Sequence, residues 1–210
     1  MKKKSLWEEA VELSFAKAQE QLRALKPRQV AKRSDCQWHG DGEGYLEVNF
    51  LDKRYRVAWP EAVVQDSDGN EATLVRAVLI LHYLTGAQGK AVAGIWTDFR
   101  SLPGGIAYYP AFRGRVIGRL LRLFGSEPQK LISAAKPLGG QGIELADVAV
   151  KFWVFPRVPV VFGLWHSTEE FGPEATVMYD AHLPAYLQTE DAIIVCEEIL
   201  GELKQHVKKV

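Results

Sequence analysis

Residues 147–155 and 158–166 are two β-branched and aromatic runs with only Pro156 and Arg157 between them. Such side chains suit a pleated, half-buried surface. Two residues are too few for a crossover, so the runs are expected to pair as antiparallel strands. Residues 175–179 add a third short strand. Nearer the N-terminus, Tyr45-Leu46-Glu47-Val48-Asn49-Phe50 and Arg54-Tyr55-Arg56-Val57-Ala58-Trp59 alternate on either side of Leu51-Asp52-Lys53. That pattern predicts a β-hairpin with one polar face.

The segments around these strands have helical periods. Ser5 precedes Glu8 at capping-box spacing, and Trp7, Val11, Phe15, Ala18, Leu22 and Leu25 then recur every three or four residues. A helix over residues 6–25 is expected, stopped by Lys26-Pro27, with residues 31–44 and 66–70 as loops. From Leu74, the run L-V-R-A-V-L-I-L-H-Y-L is apolar on nearly all sides. It predicts a buried central helix closed by Gly86. Residues 92–102 read as a strand, Pro103-Gly104-Gly105 as a turn, and residues 109–124 and 128–135 as helices. Thr189-Glu190-Asp191 places an N-cap and acids before a helix over residues 190–208. Its Ile193, Cys196, Ile199, Leu200, Leu203 and Val207 form one face, and Lys208 and Lys209 suit its C-terminal dipole. Strands and helices do not alternate as βαβ units. The expected fold class is therefore α+β, a mostly antiparallel sheet flanked by N-terminal, central and C-terminal helices. With no internal repeat and no convincing linker, residues 1–210 read as a single domain whose core spans 45–190.

Charge and composition exclude several classes. Lys plus Arg and Asp plus Glu number 26 each among 210 residues, so the surplus of cations that phosphate contacts require is absent and no nucleic-acid partner is expected. No apolar run reaches the roughly 20 residues needed to span a bilayer. Met1-Lys2-Lys3-Lys4 resembles the start of a secretory signal, but Trp7-Glu8-Glu9 stands where the apolar core should follow. A soluble cytoplasmic protein is expected. Cys36 and Cys196, the only cysteines, are expected to be free thiols.

A set of motifs runs in order over residues 45–191: R-Y-R-V, L-I-L-H-Y-L, W-T-D-F-R-S-L-P-G-G, G-G-x-G-I-E-L-A-D-V-A, F-P-R-V-P-V, E-E-F, Y-D-A and L-Q-T-E-D. In these the chain resembles domain-of-unknown-function family 3786. That resemblance implies a setting in anaerobic bacteria and archaea, where some relatives join this domain to a cysteine-rich iron–sulfur module like that of corrinoid iron–sulfur proteins. It therefore implies an iron–sulfur or corrinoid protein as partner. Two cysteines cannot supply the four thiolates of an ordinary cluster, so no iron–sulfur ligands are expected within this chain, and its cofactor is unknown.

The candidate ligand-binding residues are His82, Trp96, Asp98, Arg100, Gly104, Gly105, Arg157, Glu170 and Asp180. A neutral imidazole at His82 can ligate a metal or act as a general base, or it can be a core histidine bonded to the backbone. On a strand, Trp96, Asp98 and Arg100 would share one face, where the planar guanidinium suits a carboxylate or phosphate; the plainer reading is a surface ion pair. Gly104 and Gly105 would let the backbone approach a ligand closely. Glu169-Glu170 and Asp180 are carboxylates that can gather at a sheet edge, with Arg157 bracing that corner. Gly139-Gly140-Gln141-Gly142 precedes a strand-like segment, so it reads as a turn and not a phosphate cradle. Cys36 and His39 have half the spacing of a zinc site but no second pair, and no metal site is assigned. Two functions follow. The first is a ligand-binding or accessory domain in anaerobic metabolism, linked through the resemblance to corrinoid or iron–sulfur chemistry. The alternative is a small-molecule enzyme using His82, Asp98 and Arg100.

Overall fold

In the computed structural model, which describes residues 5–207, the chain forms two compact units: residues up to Lys90 together with Ala185–Leu187, and Ala91–Pro184 together with Gln188 onward. The predicted roles of Lys208 and Lys209 and the reading of Met1 to Lys4 lie outside the described residues.

The first unit opens with α1 (Leu6–Arg23), which starts where the sequence places it: the Ser5 hydroxyl accepts from the Glu8 N–H, and the Glu8 carboxylate accepts from the Ser5 N–H. α1 ends before Pro27, as expected, but Pro27 is not followed by a loop. It opens a second helix, α2 (Pro27–Ser34), because at the first helical position the missing N–H costs nothing. The expected loop beyond it is also shorter than predicted, since β1 (Gln37–Gly40) pairs with β2 (Gly44–Phe50). The hairpin of β2 and β3 (Lys53–Trp59) turns at Leu51-Asp52, with Leu51 at φ 53°. Leu46, Val48, Phe50, Tyr55, Val57 and Trp59 form its buried face. On the other face Arg56 stands over the Tyr45 ring and Arg54 pairs with Glu47 at 3.4 Å. β4 (Val64–Asp66) completes an antiparallel sheet in the order β1-β2-β3-β4.

α3 (Leu74–Gly86) is the buried helix that the apolar run predicts, capped by Thr73 and packed on α1 and α2. The Tyr83 hydroxyl donates to the Ser34 carbonyl at 2.5 Å. Gly86 is the last helical residue, followed by Ala87 as C-cap. A Cβ there would lie 2.5 Å from the Tyr186 carbonyl oxygen. Close backbone approach, not a left-handed cap, therefore calls for glycine at this place.

The second unit carries a five-stranded antiparallel sheet in the order β5-β9-β8-β7-β6. Its centre is β7 (Val148–Phe155) and β8 (Val158–Trp165), joined by the two-residue turn that Pro156-Arg157 implies. β9 (Glu174–Asp180) lies beside β8, and β6 (Gln141–Gly142) is a short edge strand. The strand expected over residues 92–102 shrinks to β5 (Trp96–Asp98), because residues after Asp98 turn into a 3-10 helix and residues 88–95 form no ladder. The helix expected over residues 109–124 starts earlier. α4 (Gly105–Phe112) contains Pro110 and passes through a π-helical stretch, Arg113–Ile117, into α5 (Gly118–Phe124). α6 (Lys130–Ala135) follows. α7 (Thr189–Val207) buries the predicted apolar face, and its Cys196 thiol meets the Tyr179 hydroxyl of β9 at 3.1 Å. Thr189 is its first helical residue and not its cap: the Thr189 hydroxyl donates to the Pro103 carbonyl, while Asp191 accepts from the Gln188 N–H. The fold class is α+β with antiparallel sheets.

Candidate functional site

The W-T-D-F-R-S-L-P-G-G segment folds around its own polar groups. Asp98 ends β5, and its carboxylate accepts from the Ser101 N–H at 2.9 Å and the Ser101 hydroxyl at 2.8 Å, so it caps the 3-10 turn. Arg100 lies in that turn, not on the strand. It reaches back to Asp98 at 3.1 Å and sits 5.0 Å over the Tyr109 ring. Partial burial works against the Asp98 anion, but the Ser101 bonds and Arg100 outweigh it and hold this carboxyl below its usual range. Gly104, at φ 72°, is the left-handed residue before α4. Gly105 begins the helix, and a Cβ on it would fall 2.0 Å from the Phe99 carbonyl oxygen.

Asp180 stands opposite Trp96 in the register of β9 and β5. It is 1% exposed. Its carboxylate receives the N–H groups of Ala93, Gly94 and His182 at 3.0, 2.8 and 2.9 Å. The ring of His182 meets the Ala91 carbonyl at 2.7 Å. Asp180 thus gives the Ala93 and Gly94 amides side-chain acceptors in place of a strand ladder, which is how a buried carboxylate and irregular backbone satisfy each other. Arg157 occupies the β7–β8 turn with its Nε buried, and Glu170 is exposed in the loop before β9. The structure thus brings together Asp98 with Arg100, and Trp96 with Asp180.

His82 belongs to the first unit, on α3. Its Nε2 lies 3.2 Å from the Ser14 hydroxyl of α1. His39 stacks on Tyr45 at 4.7 Å in β1, with Cys36 just before that strand. Among the described residues no group of three or more His, Cys, Asp or Glu side chains could hold a metal ion. Burial pushes the Cys36 and Cys196 thiols up to about 12, so both are protonated and poorly nucleophilic. No described helix is long and apolar enough to cross a membrane.

An open concave site that the sequence reading did not single out lies at the tip of the β2–β3 hairpin, in the first unit. It is a groove of about 820 Å³, within the range of small-molecule sites. One side comes from Asp52, Lys53 and Tyr55, another from the loop after β4 with Asp66, Asp68 and Glu71, and a third from Thr73 and Arg76 at the start of α3. The loop is shaped by Asp66, whose Oδ1 accepts from the N–H groups of Asp68 and Asn70, both at 2.9 Å. Those bonds, led by Asn70, hold its carboxyl below the usual range. Arg76 donates to the Tyr55 hydroxyl at 3.0 Å and stands 5.2 Å over the Phe50 ring. The D-S-D-G-N cluster is visible in the sequence as a loop, but nothing local says that it faces a hairpin tip and a helix start.

No curated protein and no solved structure matches this chain. Residues 26–201 match the domain of unknown function DUF3786, and this match covers all of the elements above except α1 and the end of α7. The chain is a member of the DUF3786 family.

Proposed function

We propose that this protein is a ligand-binding or accessory domain of anaerobic metabolism, working beside an iron–sulfur or corrinoid partner, and that the groove at the hairpin tip is its binding site. The anaerobic setting and the partner class rest on the family resemblance alone. The groove is the observation that carries the ligand-binding reading: charged and hydroxyl groups from three segments converge there on open space, as a selective small-molecule site requires. Native mass spectrometry of the protein purified anaerobically from its own host, with its absorption spectrum, tests this. A retained small molecule whose occupancy falls in an Asp68→Asn variant supports the reading. A bare chain that gains mass from no cell extract overturns it.

The second reading is a small-molecule enzyme. Its support is the Ser14 hydroxyl beside the His82 imidazole, at a distance suited to a hydroxyl and its general base. It ranks behind the first because Ser14 sits inside the regular helix α1, where the backbone N–H groups that would stabilise an oxyanion are engaged in helical bonds. A His82→Ala variant that folds and keeps full turnover of any substrate found would remove it.

A further inference from the structure

Resting on the accessory role given above, we propose that the outer face of α4 is the surface by which this protein docks a protein partner, and that the matching surface of the partner is an apolar patch rimmed by carboxylates.

A mismatch between α4 and its surroundings carries this inference. The helix reads Gly-Ile-Ala-Tyr-Tyr-Pro-Ala-Phe and holds no charged residue. A helix that is apolar on all sides belongs in a core. The apolar α3 obeys that rule, with an unbroken buried run from Ala77 to Leu81. In α4 only Gly105 and Phe112 are buried. Ile106 is 77% exposed and Tyr108 40%, with Ala107, Pro110 and Ala111 exposed beside them. Apolar side chains gathered on open surface mark a contact that excludes water.

Charge decides what kind of partner fits. Between Asp98 and Glu127 the chain holds five arginines and no lysine, aspartate or glutamate. Arginine and tyrosine are enriched where proteins bind one another, and lysine and acids are depleted there. Two carboxylates of α7 reach this run already engaged: Glu190 takes the Tyr108 hydroxyl, and Glu197 takes Arg115. Arg113 and Arg122 stand exposed on the same helical run. Arg113 opens the π-helical stretch, a rare conformation that is frequent at functional sites. Beside it Gly114 leaves the backbone bare, since a Cβ there would meet nothing within 4 Å. From Ile106 to Arg113 the face advances about 10 Å along the axis, from apolar to cationic. A bilayer would draw in a longer apolar face. In α5 that face is turned into the protein, with Leu120 and Phe124 buried, so the open patch is of a size for a protein surface, and its arginines call for carboxylates at one edge.

The test places a photoactivatable benzoylphenylalanine at Ala107 of the full chain, or at exposed Gln29 of α2 as a control, and irradiates each protein in anaerobic extract of the host. The expected result is a cross-link from position 107 alone, to a partner segment that carries Asp or Glu beside apolar residues. That partner is then purified and titrated with the full chain. Ile106→Asp and Arg113→Glu, both at exposed positions, should each weaken the complex about tenfold or more, and added salt should weaken it too. Lys32→Glu, on α2, should leave it unchanged. Wild-type unfolding midpoints would show that the variants fold. Cross-links from both positions alike or from neither, a partner segment without carboxylates, or an affinity unchanged in both α4 variants overturns the proposal. So does a cross-link to a second copy of this chain, or binding to phosphatidylglycerol vesicles that Arg113→Glu abolishes, in place of a protein partner. A polypeptide that accompanies the host-purified protein yet binds both α4 variants as tightly as the wild type removes this face and leaves the accessory role standing. No accompanying polypeptide and no cross-link removes both.

Discussion

Cys196 shows how burial sets chemistry one side chain at a time. It is 0% exposed and touches the Tyr179 hydroxyl, and burial raises its pKa to about 12. Unfolded, a thiol ionises near pH 8.5. The folded pKa is the higher of the two, so this group's contribution to stability is complete below about pH 8.5 and drains away as pH rises towards 12. Cys36, its burial less complete, shifts in the same direction. The urea midpoint should therefore fall across this alkaline window, and Cys36→Ser should flatten part of the slope. Native Cys196 should resist an aromatic disulfide reagent until the protein unfolds. Asp180 is a buried carboxylate with a structural duty. Asp180→Ala strands the Ala93, Gly94 and His182 amides and should cost about 3 kcal/mol, read by chemical denaturation. The Y-D-A motif draws attention to Asp180, but two of its donors lie 86 and 87 residues earlier. No local spacing could name them. Asp98 is different: its partners are two and three residues away, and the ion pair with Arg100 is legible from D-x-R alone.

Among the elements, those with a strong period were legible and those set by contact were not. The capping box of α1, the apolar α3, the β2–β3 hairpin and the β7–β8 pair each follow from residues within one window. Pro27 misleads because the same ring that stops a helix also starts one. β5 is short because Asp180, far away in sequence, takes over the backbone donors before it. The adjacent glycines at the start of α4 make the distinction testable. Gly104→Ala meets only the Tyr108 ring, at an ordinary contact distance of 3.8 Å, and a left-handed φ, so it should cost about 1 kcal/mol. Gly105→Ala drives a methyl into the Phe99 carbonyl and should cost about 3 kcal/mol. Denaturation curves in which the two variants lose equal stability would contradict this account. The groove was missed for the same reason as the Asp180 clamp: its three walls come from residues near 52, 68 and 76, and only the register of β3 with β4 joins them.

At the scale of the whole molecule, equal numbers of acidic and basic residues leave a net charge of zero at pH 7. Self-repulsion is then weakest, so solubility should pass through a minimum near neutral pH and rise at pH 9 or with moderate salt. A precipitation series checks this, and a maximum at pH 7 would contradict it. The sequence supports the α+β class because no βαβ rhythm runs through it. The division into two units leaves no such trace, since the boundary at Lys90 has no polar linker and the return to the first unit is only three residues long. That return has a consequence for biosynthesis. Tyr186 stacks on Tyr83 at 5.5 Å and its hydroxyl donates to the Lys90 carbonyl, while the Gln88 N–H donates to the Ala185 carbonyl. The ribosome delivers residues in order, yet the last piece of the first unit is made after the whole sheet of the second. The residues up to Lys90 must therefore wait, incomplete and with the Tyr83 ring lacking its Tyr186 partner, until residues 185–187 have been made.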